Sequence, residues 1–125
     1  MLGTSDVMAT VAVKDLGKAR EFYEKKLGLK AVGTEGDQAV IYQSNGSKLL
    51  VYKSQFAGTG KATAVTWSVG DVEREVADLR GKGVMFEHYD MPGVTLKGDV
   101  HYMGPMQNAW CKDPDGNILA IVSKH

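Results

Sequence analysis

A chain of 125 residues, 43% hydrophobic and 24% charged, carries one domain's worth of core, which excludes disordered, collagen-like and disulfide-scaffold classes. Fifteen Lys and Arg balance fifteen Asp and Glu, so no long-range field draws it to a phosphate backbone, and nucleic acid is not an expected partner. The single cysteine, Cys111, forbids an intrachain disulfide. No apolar run nears the roughly 18 residues of a membrane span. Met1–Asp6 lacks the basic flank and apolar stretch of a signal peptide, so a cytoplasmic location with no membrane partner is expected.

In chain order, Val7–Val13 reads as a strand. Asp15 is a helix N-cap, because its carboxylate can accept free amide protons of the first turn. Leu16, Ala19, Phe22, Tyr23 and Leu27 form an amphipathic stripe, and Gly28 supplies the stop. Ala39–Gln43 and Lys48–Tyr52 read as a hairpin around Asn45-Gly46. The plan then recurs. Ala64–Val69 is strand-like, Asp71 is a second N-cap, Val72, Val76 and Leu79 make the stripe, and Gly81 and Gly83 end it. Glu87–Met103 reads as a long loop. Ala109–Lys112 and Asn117–Val122 read as a second hairpin around Asp113-Pro-Asp-Gly116.

A shift of 56 residues sets Asp15 on Asp71, and a shift of 70 sets Gly46 on Gly116, so 14 extra residues fall in the 87–103 stretch. Each copy is strand–helix–strand–strand–strand: module one at about 7–54, linker at about 55–61, module two at about 62–125. Neither copy buries its own sheet well. The expected fold class is therefore α+β, two βαβββ modules forming a curved mixed sheet with a cleft, helices on the outer face.

The strand followed by Asp15-Leu16, the helix holding Phe22-Tyr23, the Leu27-Gly28-Leu29 stop and the closing Lys112-Asp-Pro-Asp-Gly-Asn117 carry a resemblance. The chain resembles the vicinal-oxygen-chelate superfamily, which includes glyoxalase I, bleomycin-resistance proteins, fosfomycin-resistance enzymes and extradiol dioxygenases. The resemblance covers nearly the whole chain and implies a homodimer. In metal-dependent members it implies four cleft-facing ligand positions, which fall here on Met8, Leu50, Ala64 and Ala120. Alkyl groups have no donor atom, and a thioether suits soft Cu(I) rather than the divalent ions of such sites. The expectation is a cleft with no metal and no cofactor. The rival is a closed core plugged by those four side chains, against which the two small alanines argue.

Strand alternation extends the walls to Thr10, Thr66, Lys48 and Tyr52, and hairpin pairing sets Ile41 opposite Leu50. Ala109 and Cys111 are expected near Ala120 and Ile118, which leaves Trp110 undecided between cleft and core; Trp67 is expected beneath a helix. The 87–103 stretch offers His101 and Tyr102 for a planar ligand. The candidate ligand-binding residues are thus Met8, Thr10, Ile41, Leu50, Tyr52, Ala64, Thr66, His101, Tyr102, Trp110 and Ala120. None is a carboxylate, so a neutral aromatic natural product or antibiotic, sequestered without chemistry, is the leading expectation. The alternatives are a metal-independent enzyme using His101 (with Asp99 near in sequence), Tyr102 or Tyr52 for acid–base work, and a metalloenzyme with other ligands. Cys111 is expected to be a buried hydrophobe rather than a nucleophile.

Overall fold

A computed structural model describes residues 1–124. The chain divides between Thr59 and Gly60 into two compact units, each with its own sheet.

Unit one runs β1 (Ala9–Val13), α1 (Leu16–Arg20), β2 (Lys30–Glu35), β3 (Ala39–Ser44) and β4 (Ser47–Lys53). Asp15 caps α1 by accepting from the Lys18 amide at 3.1 Å. The helix continues as a π-helical stretch, Glu21–Lys26. It closes at Gly28, whose φ of 76° is open to a residue without a Cβ. The sheet order is β1-β4-β3-β2. β1 is parallel to β4 and the other pairs are antiparallel, so the sheet is mixed. The β3–β4 turn is as tight as Asn45-Gly46 implies: Ser44 pairs with Ser47, and Asn45 takes a φ of 52°.

One face of this sheet is covered by the helix. Val11, Val13, Val40, Tyr42, Leu49 and Val51 are buried there with Ala19, Phe22 and Tyr23. Tyr23 stacks on Tyr42 at 6.0 Å between ring centres. The Tyr42 hydroxyl donates to Glu24 at 2.8 Å, and Arg20 holds the same carboxylate at 2.6 Å. The alternate residues of each strand point to the other face.

Unit two runs β5 (Thr63–Val69), α2 (Val72–Gly81), β6 (Phe86–Glu87), β7 (Thr95–Lys97), β8 (Val100–Met103), β9 (Met106–Lys112) and β10 (Ile118–Ser123). Asp71 caps α2 through the Arg74 amide, as Asp15 caps α1. Its sheet order is β5-β10-β9-β8-β7, with β6 also on β9; β5 is parallel to β10 and the rest is antiparallel. Val72 and Val76 of α2 pack with Val100, Ala109 and Ile121.

Both units thus carry the expected strand–helix–strands plan, and the α+β class with mixed sheets is borne out. Two expectations are corrected. The 87–103 stretch is not one loop: Thr95–Lys97 and Val100–Met103 pair as a hairpin whose turn uses Gly98 at φ 62°. Strands of three and four residues are too short to show alternation in sequence. The last hairpin is also shifted by one residue, so Ala120 pairs with Trp110 and Leu119 with Cys111. The turn sets this register. The Asp113 amide donates to the Asn117 carbonyl at 3.0 Å, which leaves Lys112 and Ile118 as the last pair.

Candidate functional site

In unit one the sheet face away from the helix gathers four of the expected wall residues. Thr10 pairs with Leu50, and Leu50 pairs with Ile41, so three of them form one row across three strands. Tyr52 stands one row further, between Ala12 and Ala39. Both neighbours are small, so the ring stands clear at 39% exposure. Thr10 spends its hydroxyl on the Met8 carbonyl at 3.3 Å. Met8 and Ile41 face a pocket of about 570 Å³, completed by Ser5, Asp6, Val7, Gly46, Ser47 and Lys48. That volume lies within the range of small-molecule sites, roughly 300–1,000 Å³.

Two charged groups line this pocket, Asp6 and Lys48. Alternation reaches Lys48, because it lies two residues from Leu50 on β4. Nothing in the sequence marks Ser5 and Asp6 as wall, and Val7, expected to open the first strand, lies before β1, which begins at Ala9. The walls are therefore not free of carboxylate, which corrects the expectation drawn from the sheet residues alone.

In unit two Thr66, Ala120 and Trp110 form one row, which settles Trp110 on the face away from α2. Trp67 pairs with Ile121 and takes the α2 side, as expected of it. Ala64 is exposed on β5, beside the register shift between Ile118 and Leu119. His101 is fully buried and meets Trp110 edge-on at 4.9 Å between ring centres. Tyr89 covers both rings, at 6.1 and 5.4 Å.

His101 and Tyr102 do not share a face. Successive strand residues point to opposite sides. Tyr102 packs on the α2 cluster and donates a short hydrogen bond to Glu73. Nor does Asp99 orient His101. Asp99 accepts from Arg80 and bonds His88 Nε2, each at 2.7 Å. The hydrogen bond with His88 chiefly, with help from Arg80, holds its carboxyl below the usual carboxylate range against the opposing effect of burial. The Nε2 of His101 instead accepts the Tyr89 amide at 2.9 Å. An accepting Nε2 leaves the proton of a neutral ring on Nδ1, a buried atom with no hydrogen-bond partner among the described residues. The His88–Asp99–Arg80 group had no signal in sequence, because its three members come from separate elements.

Cys111 is buried on β9 with its thiol pushed up to about 12, by burial first and then by Asp113 and Glu87. A thiol in that state is a hydrophobe, as expected.

The resemblance assigns Met8 and Leu50 of unit one, and Ala64 and Ala120 of unit two, to metal-ligand positions. These side chains do not fit a divalent cation, because none presents a nitrogen, oxygen or thiolate donor. Among the described residues, no group of three or more His, Cys, Asp or Glu gathers elsewhere in a way that could hold one.

Comparison with known structures agrees with the fold. A glyoxalase/bleomycin resistance protein from Catenulispora acidiphila is 22% identical, with 96% of this chain and 98% of that chain covered and a TM-score of 0.72. A lactoylglutathione lyase from Agrobacterium tumefaciens is 18% identical, with coverage of 95% and 93% and a TM-score of 0.71. An antibiotic binding protein from a Streptomyces species is 18% identical, with 98% of each chain covered and a TM-score of 0.66. Identities this low establish a shared fold and nothing about shared ligands. A search by sequence among curated proteins finds no match. The family model described as Glyoxalase/Bleomycin resistance protein/Dioxygenase superfamily matches residues 7–121. With nearly the whole length matched, the chain belongs to the glyoxalase/bleomycin resistance protein/dioxygenase superfamily, the vicinal-oxygen-chelate fold that its sequence resembles.

Proposed function

We propose that this protein binds a small hydrophobic, aromatic compound without a metal and sequesters it rather than transforming it. The observation that carries the reading is the apolar floor of the unit-one pocket. Met8 and Ile41 supply apolar surface beneath about 570 Å³ of space, and Met8 stands where the family's metal chemistry needs a donor. Burial of a planar ligand on such a floor is favourable by about 25 cal/mol per Å² of apolar surface. The family and the antibiotic-binding structural relative support the same class. The reading includes the homodimer that the resemblance implies and a cytoplasmic location. No helix among the described residues is long and apolar enough to cross a membrane.

The test is titration with neutral phenylnaphthylamine, followed by emission of the dye. Saturable binding is expected, weakened about tenfold or more by Ile41→Glu, which sets an unpaired carboxylate on the floor. Elemental analysis of the same protein accompanies it. Stoichiometric Ni, Zn, Fe or Mn, or binding indifferent to Ile41→Glu, refutes the reading.

A second reading rests on Asp99 and His88. A carboxylate fixing one nitrogen of a half-exposed imidazole is the arrangement of a general base. Mass spectrometry of compounds recovered after incubation separates the two: an unchanged mass and structure supports sequestration, and an isomer or a shifted mass supports metal-independent catalysis.

A further inference from the structure

We infer that Lys48 is the specificity-determining residue of the unit-one pocket, and that the ligand is an aromatic body carrying an anionic group (carboxylate, sulfonate or phenolate) at its end. The inference rests on the pocket reading above and names the ligand class within it. Lys48 lies on β4 two residues before Leu50, on the same face. Met8 immediately precedes β1, and Lys48 immediately precedes Leu49, the β4 partner of Ala9. Both line the pocket. A lysine thus shares the pocket with Met8, the position that the resemblance assigns to a metal ligand. Among the described residues Lys48 has no ion-pair partner, so its ammonium is free to meet an oxyanion.

The second charge in the pocket does not compete for that role. Asp6 precedes β1, on a segment outside the strands, whereas the Lys48 backbone is set in the sheet by its pairing with Gln43. Ser47 and Ser5 add hydroxyls that can donate to the same oxyanion. The apolar floor and the cation together select an amphiphile: the floor takes rings, and the ammonium takes the charge.

The test compares two dyes on the intact chain, anilinonaphthalene sulfonate and neutral phenylnaphthylamine, at low salt. Lys48→Met keeps the stem and removes the charge. It is expected to weaken the sulfonate dye about tenfold, as loss of a charge-assisted contact does, and to leave the neutral dye within about twofold. Lys48→Arg keeps the charge and is expected to retain sulfonate binding. Asp6→Asn is expected to leave sulfonate binding unchanged or tighter. If Lys48→Met binds the sulfonate dye as the parent does while both bind the neutral dye, or if Asp6→Asn weakens it, the charge inference is overturned and the pocket reading stands. If the parent chain does not bind the neutral dye at all, the pocket reading fails and this inference with it.

Discussion

Replacing Asp113 tests whether one buried carboxylate sets the geometry of the unit-two face. Asp113 is 5% exposed. One of its oxygens accepts the amides of Asp115 and Asn117, each at 2.9 Å, and the other accepts the Asn117 side-chain amide at 2.8 Å. These bonds clamp the turn that makes Lys112 and Ile118 the last pair, and so bring Trp110 opposite Ala120. At about 1 kcal/mol net per bond, Asp113→Ala is expected to cost about 3 kcal/mol. For a chain of this size that is a fall of about 10 °C in Tm. Asp113→Asn keeps an oxygen for the two backbone amides and sets an NH2 against the Asn117 amide, which can turn its own oxygen to meet it. Its expected cost is about 1 kcal/mol. Urea denaturation with a shared m-value measures both, and Trp110 emission, read in a Trp67→Phe background, reports whether the row survives. Equal costs for the two variants, or a cost below about 0.5 kcal/mol for Asp113→Ala, would refute the clamp.

Two further outcomes follow from the same structure. Cys111 is expected to resist iodoacetamide at pH 8 in the folded protein and to react on unfolding, because a thiol held at about 12 presents almost no thiolate there; rapid labelling of the native chain would contradict its burial. The Asp99 carboxyl is held low by His88 and Arg80, so it contributes stability above the ordinary carboxylate range, about pH 4, and loses it as the pH falls through its lower folded value. A plot of Tm against pH is therefore expected to fall less steeply below about pH 4 for Asp99→Asn than for the parent, and coincident acid limbs would show that the His88–Asp99–Arg80 group adds nothing.

Much of the unit-one face was legible because its cues are local. Asn45-Gly46 leaves few ways to turn, so Ile41 had to meet Leu50, and period-two alternation carried that pairing to Lys48 and Tyr52. The unit-two face was harder. Asp113-Pro-Asp-Gly116 announces a turn, but its closing bond to Asn117 decides between two registers one residue apart, and those registers send Trp110 to opposite faces. Tyr102 was misplaced beside His101 for a related reason: inside an unrecognised strand, adjacency in sequence means opposition in space.

The two strand–helix–strands modules, their capping Asp15 and Asp71, and the family were readable from local pattern, because caps, turns and stripes depend on contacts a few residues apart. Packing between distant elements made Asp99 the partner of His88 and Arg80, gave the Tyr89 amide to the Nε2 of His101, and set Ser5–Val7 in one pocket lining with Met8 and Ile41. The hydrogen-bonded partners lie 11 to 19 residues apart, and Ile41 lies 34 to 36 residues beyond Ser5–Val7, on elements whose own patterns report only which face is apolar. Hydrogen bonds and pocket walls between such elements depend on how the chain packs, and hydropathy carries no record of them.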